Sequence, residues 1–301
     1  MPGRNERERN HMLNTETRGA SLAEHQRALY RLLTEFDRVC KALDIKYFLF
    51  AGTLLGAVRH KGIIPWDDDL DVVMLRADYE RFMRQAPAIL NNDSFFLQAE
   101  FTEHWPVFYS KLRINGTTCL EKYHPKDKLT HQGVYMDIFP CDYGAKTPAG
   151  RKLQFYASKV VIAKSLDRLG YETNSLLKKA FMFACRALPI KPFLWLTKRG
   201  SESSGYLHSF LGGASKFARS VYPAACFAER KMMAFESGSF PVPADFHTLL
   251  GILYDDYMTV PPEEERKYKE HAFFVDLEKS YEEYAHIRDG MTFDFYTKSI
   301  R

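Results

Sequence analysis

The chain has 301 residues, 46% of them hydrophobic, with 42 Lys or Arg against 38 Asp or Glu and a net charge of +4. This length and apolar content suit one large domain or two closely packed ones, and so small a charge does not favour a nucleic-acid binder. Five scattered cysteines include no CxxC pair, which argues against a zinc site or a disulfide framework and predicts a reduced, cytoplasmic protein.

The first 20 residues are charged and contain no apolar run, so we expect a disordered tail rather than a signal peptide or a membrane anchor. Apolar residues at helical spacing and a Ser21–Glu24 capping box predict an amphipathic helix over 21–43. The elements predicted next are strand 45–51, helix 54–60, strand 69–75, helix 77–90 and strands 95–101, 107–114, 117–121 and 133–139. This order predicts an α+β core over 21–144, a mixed sheet flanked by helices.

The second half of the chain has a different composition. Residues 151–199 carry 11 Lys or Arg against two acids, with apolar residues interleaved at helical spacing. The segments predicted here are a basic helical subdomain over 145–240, a mobile Ser/Gly-rich loop over 200–213, and a C-terminal helical segment over 241–301 that packs on the core and includes helix 246–257. The basic helices favour either a solvated subdomain face or peripheral contact with an anionic membrane.

The most informative stretch is acidic, with Asp67, Asp68, Asp69 and Asp71 inside five positions. Unpaired anions this close repel one another, and a bound cation relieves the repulsion. Asp69 and Asp71 are two residues apart, so on a strand both side chains point to the same face. Two carboxylates on one face form a platform for Mg²⁺ or Mn²⁺, and a solvated acidic turn is the alternative.

A glycine-containing turn precedes the acidic run. Gly52 lets the backbone approach a ligand, and Thr53 can cap the helix over 54–60. The free N–H groups at the start of that helix favour a phosphate, while Arg59 and His60 at its end place cations near the acidic strand. A strand, a Gly-Thr turn, a short helix and then Asp-x-Asp are typical of nucleotidyltransferase-fold enzymes, which hold a nucleotide phosphate beside two metal-binding aspartates.

A third carboxylate is predicted to join the first two. Asp137 falls within the predicted strand 133–139 and can lie on the same sheet beside Asp69 and Asp71. The alternative is a strand-end aspartate that caps a turn, which is how we interpret Asp142.

Other polar residues are weaker candidates. Lys111 and Arg113 are two residues apart on a predicted strand, so they share a face that suits an anionic ligand or is simply exposed. Trp66 either supports the acidic loop or stacks on a base. Asp256 either contacts substrate or decorates a helix end, and His271 is interpreted as a surface histidine.

Residues 50–72 closely resemble the signature of the LicD family, bacterial phosphotransferases that decorate cell-surface glycans and are similar to fukutin and fukutin-related protein. Residues 133–142 resemble the block in which that family carries its third carboxylate, and residues 241–262 resemble its C-terminal block. Family members usually read Tyr-Gly-Asp there, whereas this chain has Tyr254-Asp255-Asp256, so the turn glycine is missing.

The resemblance implies a nucleotidyltransferase fold and a Mg²⁺- or Mn²⁺-dependent transfer of phosphocholine, or a similar group. It implies a CDP-activated donor, CDP-choline first, and a glycan or lipid-linked glycan acceptor, with the enzyme in the cytoplasm or on the inner face of the membrane. Asp69, Asp71 and Asp137 would hold the metal, and Arg59 would stabilise the transition state. The residues expected to bind substrate are Gly52, Thr53, His60, Lys111, Arg113, Trp66 and Asp256.

Two alternatives stay open. A nucleotidyltransferase would use the same residues to move the nucleotide itself, and a non-catalytic glycan-assembly protein would keep them without turnover. No nucleic-acid partner is expected, because the basic residues are not interleaved with an aromatic platform.

Overall fold

The computed structural model describes residues 19–121, 130–212, 216–266 and 271–284, so almost all of the predicted tail and the end of the C-terminal segment lie outside the described residues. The α-helices in the described ranges are α1 (Leu22–Ala42), α2 (Ala51–His60), α3 (Arg76–Gln85), α4 (Pro148–Arg168), α5 (Leu176–Arg186), α6 (Ile190–Lys198), α7 (Phe246–Tyr254) and α8 (Glu263–Arg266). The strands are β1 (Phe48–Leu49), β2 (Asp71–Leu75), β3 (Phe95–Gln98), β4 (Ser110–Ile114), β5 (Thr118–Glu121), β6 (Tyr135–Tyr143), β7 (Tyr206–His208), β8 (Val221–Pro223), β9 (Arg230–Phe235), β10 (Gly238–Pro243) and β11 (Ala272–Asp276).

Helix α1 forms where the sequence predicts it, and its first turn explains where it starts. Ser21 Oγ accepts a hydrogen bond from the Glu24 N–H at 3.3 Å, and the Glu24 carboxylate accepts one from the Ser21 N–H at 2.8 Å. Two otherwise unbonded donors are thereby satisfied. Leu29, Leu32 and Phe36 recur at helical spacing and are fully buried in the main core.

One mixed sheet organises the core, and the fold class is α+β, as predicted. Its strand order is β1-β2-β6-β4-β3, with β7 pairing to the far end of β6 and β8 pairing to β7. Strands β2 and β6 are parallel, and the other pairs in this sheet are antiparallel. Two smaller pairs, β9 with β10 and β5 with β11, complete the described strands.

The register of the sheet sets three ionisable residues side by side. Asp71 on β2 lies opposite Asp137 on β6, and Lys111 on β4 lies opposite Asp137 on its other side. Residues in register on neighbouring strands share a face, so an acid, an acid and a base form one row across the sheet. Leu70, directly before β2, is 1% exposed and points into the core.

The start of α2 differs from its prediction. The helix begins at Ala51 rather than at 54, and β1 is correspondingly reduced to two residues. Its N-cap is Phe50, which makes no side-chain capping bond. Thr53 is therefore not the cap that the sequence suggested. Its hydroxyl accepts a hydrogen bond from the Asp71 N–H at 2.7 Å, which fixes the start of β2 against the first turn of α2.

The basic region begins as predicted, with helices, and then departs from the prediction. Helix α4 packs against α5 and α6, and among the described helices none combines the length and apolar content that crossing a bilayer requires. Residues 200–213, predicted as a mobile loop, instead contain β7, because the side chains of Leu207 and Phe210 are buried in the adjoining core.

Asp142 is a strand residue and not the turn cap that the sequence suggested. Its carboxylate accepts hydrogen bonds from Arg76 Nε at 2.8 Å and Nη2 at 2.9 Å, and its side chain is 2% exposed. Burial alone would raise the pKa of Asp142, but the Arg76 guanidinium lowers it below its ordinary value. The pair therefore fastens α3 to the end of β6.

We expect Asp142→Asn to lower the free energy of unfolding by about 3–5 kcal/mol, because it leaves a buried guanidinium without its bidentate carboxylate. Since the folded-state pKa of Asp142 is lowered, its stabilising contribution is present above the unfolded-state pKa and is lost as pH falls through the folded-state value. Urea unfolding at neutral and acidic pH measures both effects.

The control is Arg186→Gln, which breaks an exposed pair with Asp167 and should leave the unfolding midpoint nearly unchanged. Equal midpoints for Asp142→Asn and the wild type at neutral pH would contradict the prediction.

Candidate active site

Three carboxylates meet at the start of β2. Asp71 begins that strand, Asp69 precedes it by two residues, and Asp137 is the register neighbour of Asp71. Burial raises the pKa of Asp69 to about 6, with repulsion from Asp137 adding to the effect. Burial also raises the pKa of Asp71 well above its ordinary value, and the charges of Asp69 and Asp137 raise it further. The structure thus places Asp137 beside Asp71, with Asp69 near enough for its charge to act on Asp71.

Asp137 has a cation beside it and an oxygen without a donor. Lys111 Nζ lies 3.1 Å from Asp137 Oδ1 in an ion pair. Among the described residues no donor bonds to this buried Oδ1. Burial raises the pKa of Asp137 in spite of the Lys111 ammonium. An oxygen in this state is an available ligand atom for a cation.

Lys111 and Arg113 share a face of β4, but that face is closed. Both side chains are 1% exposed, and Glu121 accepts hydrogen bonds from Lys111 Nζ at 2.9 Å and Arg113 Nη2 at 3.0 Å. Burial would raise the pKa of Glu121, yet these two cations lower it to about 2. The expected phosphate contact does not fit this burial, because both charges are already paired inside the sheet.

A cavity of about 570 Å³ opens beside the acidic strand, a size that suits a small organic ligand. Its acidic lining consists of Asp67, Asp69, Asp71 and Asp256, and its aromatic lining of Trp66, Tyr254 and Tyr257. In the described part of the chain, Thr53, His60, Lys111, Arg113 and Asp137 contribute no lining atoms. Of the predicted substrate-binding residues, Gly52, Trp66 and Asp256 therefore face the cavity.

Gly52 lets the acidic loop close onto α2. A Cβ at this position would come within 3.0 Å of Asp67 Oδ2, so a larger side chain would push the loop away. Because Gly52 also lines the cavity, a ligand can approach its backbone closely.

Arg59 connects α2 to the segment after α7. Its Nη1 donates to the Tyr257 carbonyl oxygen at 3.0 Å, and its Nε donates to His60 Nε2 at 3.0 Å. Its guanidinium lies 5.9 Å from the Trp66 ring centroid, and Arg266 lies over the same ring at 4.5 Å. The Trp66 side of the cavity therefore has two cations beside it, Arg59 and Arg266. His60 contacts Arg59 and does not line the cavity in the described chain.

Asp255 occupies the position of the missing turn glycine. Its φ is 58°, in the left-handed region that glycine adopts without strain. Its carboxylate pairs with Arg219, which offsets part of that strain. The next residue, Asp256, points to the cavity and accepts a hydrogen bond from Thr259 Oγ1 at 2.6 Å.

His271 was interpreted as a surface histidine, and its side chain is indeed 51% exposed, but it has partners that the sequence did not reveal. Its Nδ1 lies 2.9 Å from Asp68 Oδ1 and 3.4 Å from Asp69 Oδ2. The backbone N–H groups of His271 and Ala272 donate to Asp68 Oδ2 at 2.8 and 2.9 Å. The hydrogen bond to Asp68, aided by the charge of Asp69, raises the pKa of His271 to about 10 against the effect of burial. No local pattern could have revealed a contact between residues 203 positions apart.

One group of the described residues brings three ligand atoms close enough to share a cation: Asp68, Asp69 and His271 each offer an atom within 4.8 Å of the others, and Asp69, Asp71 and Asp137 do not form such a group. However, the pKa of His271 is raised by its bond to Asp68, and a protonated imidazole offers no lone pair. Asp69, Asp71 and Asp137 are all oxygen donors that repel one another, so they fit a hard cation better.

Comparison with known proteins extends this description. Residues 44–166 match the family model described as LicD/FKTN/FKRP, nucleotidyltransferase domain. Over 256 residues, 82% of this chain and 95% of the relative, the chain is 28% identical to lipopolysaccharide cholinephosphotransferase LicD of Haemophilus influenzae. An uncharacterized Rickettsia typhi protein is 34% identical over 120 residues, 38% of this chain and 35% of that protein. An uncharacterized Rickettsia prowazekii protein is 49% identical over 117 residues, 38% of this chain and 40% of that protein.

The matched stretch runs from before β1 into α4 and contains Asp69, Asp71 and Asp137. The resemblance read from residues 50–72 and 133–142 is confirmed by this match. Over residues 44–166 the chain is thus similar to the LicD/FKTN/FKRP nucleotidyltransferase domain, and over most of its length it is similar to a lipopolysaccharide cholinephosphotransferase.

Proposed function

We propose that the enzyme transfers phosphocholine, or a closely similar group, from a CDP-activated donor to a hydroxyl of a cell-surface glycan. The observation that carries this proposal is the pairing of Asp71 with Asp137 on adjoining strands beside a ligand-sized cavity. The Haemophilus influenzae relative is named for cholinephosphotransfer to lipopolysaccharide, which supports choline and a glycan as the two ends of the reaction. All five cysteines are buried free thiols, which supports a reducing, cytoplasmic location.

The carboxylates fit a divalent cation of the Mg²⁺ or Mn²⁺ type. Burial and mutual repulsion raise the pKa values of Asp69 and Asp71, and Asp137 Oδ1 has no hydrogen-bond donor in the described part of the chain. A bound cation would neutralise charge on the donor diphosphate and on the departing CMP. We therefore assign Asp69, Asp71 and Asp137 as its ligands.

The other roles in the reaction, phosphate binding, charge neutralisation and proton acceptance, are assigned to individual protein groups. Gly52 and the first N–H groups of α2 approach the donor phosphates, and Arg59 neutralises oxygens of the transferred group. Asp137, which adjoins the cavity-lining Asp71 without lining the cavity itself, is our proposed acceptor of the proton of the attacking hydroxyl as the new phosphorus–oxygen bond forms and the bond to CMP breaks. Lys111 favours the ionised form of this carboxylate, since its ammonium lies 3.1 Å away.

The cavity also suits a quaternary ammonium. Trp66, Tyr254 and Tyr257 line it, with Arg59 and Arg266 already over the Trp66 ring, and Asp67 and Asp256 add negative charge. Aromatic faces and nearby carboxylates both attract an alkylated cation. This composition supports phosphocholine over an uncharged glycerol or ribitol substituent.

We expect Asp71→Asn to reduce turnover by several orders of magnitude without destabilising the protein, on the order of the losses seen when catalytic groups are removed. The substitution keeps the shape and removes one of three repelling charges, so the melting temperature without metal should stay equal or rise. Release of CMP from CDP-choline and a thermal melt are the measurements.

The control for Asp71→Asn is Asp93→Asn, an exposed turn residue whose loss of charge should leave CMP release unchanged. Activity of Asp71→Asn close to that of the wild type would reject the ligand assignment. A melting temperature well below the wild type would show that the carboxylate has a structural role instead.

We expect His271→Ala to lower turnover by about 10- to 100-fold, as is typical when a residue that orients metal ligands is removed. The ring holds Asp68 and contacts Asp69, so without it the acidic loop is less ordered. The apparent affinity for Mg²⁺ should fall together with turnover, and His104→Ala, an exposed histidine, should change neither. An unaltered Mg²⁺ titration for His271→Ala would contradict this role.

We expect donor binding to require the cation. Calorimetry of CDP-choline with the wild type should show clearly tighter binding with Mg²⁺ than with EDTA, because the diphosphate otherwise faces repelling carboxylates. Equal affinity in both conditions would count against the proposed site. A screen of CDP-choline, CDP-glycerol and CDP-ribitol then identifies the donor, and release of pyrophosphate rather than CMP would favour a nucleotidyltransferase.

A further inference from the structure

Helices α5 and α6 each carry large apolar side chains that face solvent. The exposed fractions are 80% for Leu176, 85% for Leu177, 71% for Phe183 and 58% for Trp195. Single exposed apolar residues are normal on a protein surface, but a group of them within one short helix and its neighbour marks an interaction site. We call these four residues the α5–α6 surface.

The packing of α5 on α4 explains why this surface has no partner inside the chain. Cys185 is buried, and Met182 packs with it against Val160 and Ala163 of α4. At 100° per residue, Leu176 and Phe183 point roughly opposite to Met182 and Cys185. The helix is therefore apolar on two faces, and only one of them is used by the fold.

Cations outnumber acids around the α5–α6 surface, although Arg186 pairs with Asp167 and Lys198 lies 4.0 Å from Glu80 and Glu100. Residues 173–201 contain no Asp or Glu. The cations in this stretch are Lys178, Lys179, Arg186, Lys191, Lys198 and Arg199. The Arg199 guanidinium lies 4.5 Å from the centroid of the Trp195 ring, so the indole and a positive charge occupy the same place. A partner that complements this surface therefore carries negative charge and also offers an apolar environment.

From these observations we propose that the α5–α6 surface binds peripherally to an anionic lipid bilayer. Leucine, phenylalanine and tryptophan enter the boundary between headgroups and acyl chains, while the lysines contact the anionic headgroups. A second copy of this chain fits less well, because two such surfaces would bring like charges together. The described helices do not span a bilayer, so the contact is with one surface only.

Co-sedimentation of the full-length protein with vesicles tests the proposal. We expect binding to vesicles of phosphatidylcholine mixed with phosphatidylglycerol, much weaker binding to pure phosphatidylcholine, and a loss of binding as salt is raised. Tryptophan emission should shift to the blue with the anionic vesicles, and Trp195→Phe should remove most of that shift. Wild-type protein that stays in the supernatant with anionic vesicles would overturn the proposal.

Two variants separate the apolar and charged contributions. Leu177→Ser with Phe183→Ser, and Lys178→Gln with Lys179→Gln, should each weaken the binding to anionic vesicles by at least about tenfold. Met232→Ser, an exposed apolar residue on β9, is the matched control and should bind like the wild type. All the substituted side chains are exposed, so the thermal melts of the variants should match that of the wild type. The assignment is refuted if the apolar variant and the lysine variant both bind anionic vesicles as well as the wild type does.

Light scattering tests the alternative that a second copy of this chain occupies the α5–α6 surface. If the wild type forms dimers that Leu177→Ser with Phe183→Ser converts to monomers, and vesicles do not compete with dimerisation, the surface is an interface between copies and the bilayer proposal fails. CMP release from CDP-choline in solution should be unaffected by these variants, because none of the substituted residues lines the cavity in the described chain. The surface proposal can therefore fail while the proposed function stands.

Discussion

The electrostatic repulsion among three buried carboxylates is the constraint on which the site depends. The parallel pairing of β2 with β6 holds Asp71 beside Asp137, and Asp69 lies close enough to raise the pKa of Asp71 further. Lys111 and His271 offset part of this charge from opposite sides. The fold therefore maintains a concentration of negative charge that is unfavourable until a cation enters, which is a common property of preorganised catalytic sites.

Much of this arrangement could be predicted because its determinants are local. The capping box at Ser21 and the helical spacing after it define α1, and alternation in 133–139 places Asp137 on a strand. The two-residue spacing of Asp69 and Asp71 predicted a shared direction, although β2 begins only at Asp71. Periodicity reports which residues are buried together, so it was sufficient to place Asp71 and Asp137 on one sheet.

The errors have a common physical origin in contacts between distant parts of the chain. Thr53 was interpreted as a helix cap, but in the folded protein its hydroxyl instead accepts a hydrogen bond from the N–H of Asp71, the first residue of β2. Lys111 and Arg113 were read as an open face, but Glu121 from the next strand covers them. A single sequence gives no information on which strand will lie above a given face, because loop closure over many residues leaves no local periodic signal.

The bond between Asp68 and the backbone of His271 makes the acidic motif dependent on a strand from the far end of the chain. Strand β11 pairs with β5, and the N–H groups of Ala272 at its start and of His271 just before it both donate to the Asp68 carboxylate. A protein shortened before position 271 would keep every aspartate of the signature and would still leave one of them buried with no donor from that strand. Cleavage before position 271 would therefore remove a support of the acidic loop without altering the residues 50–72 that carry the resemblance.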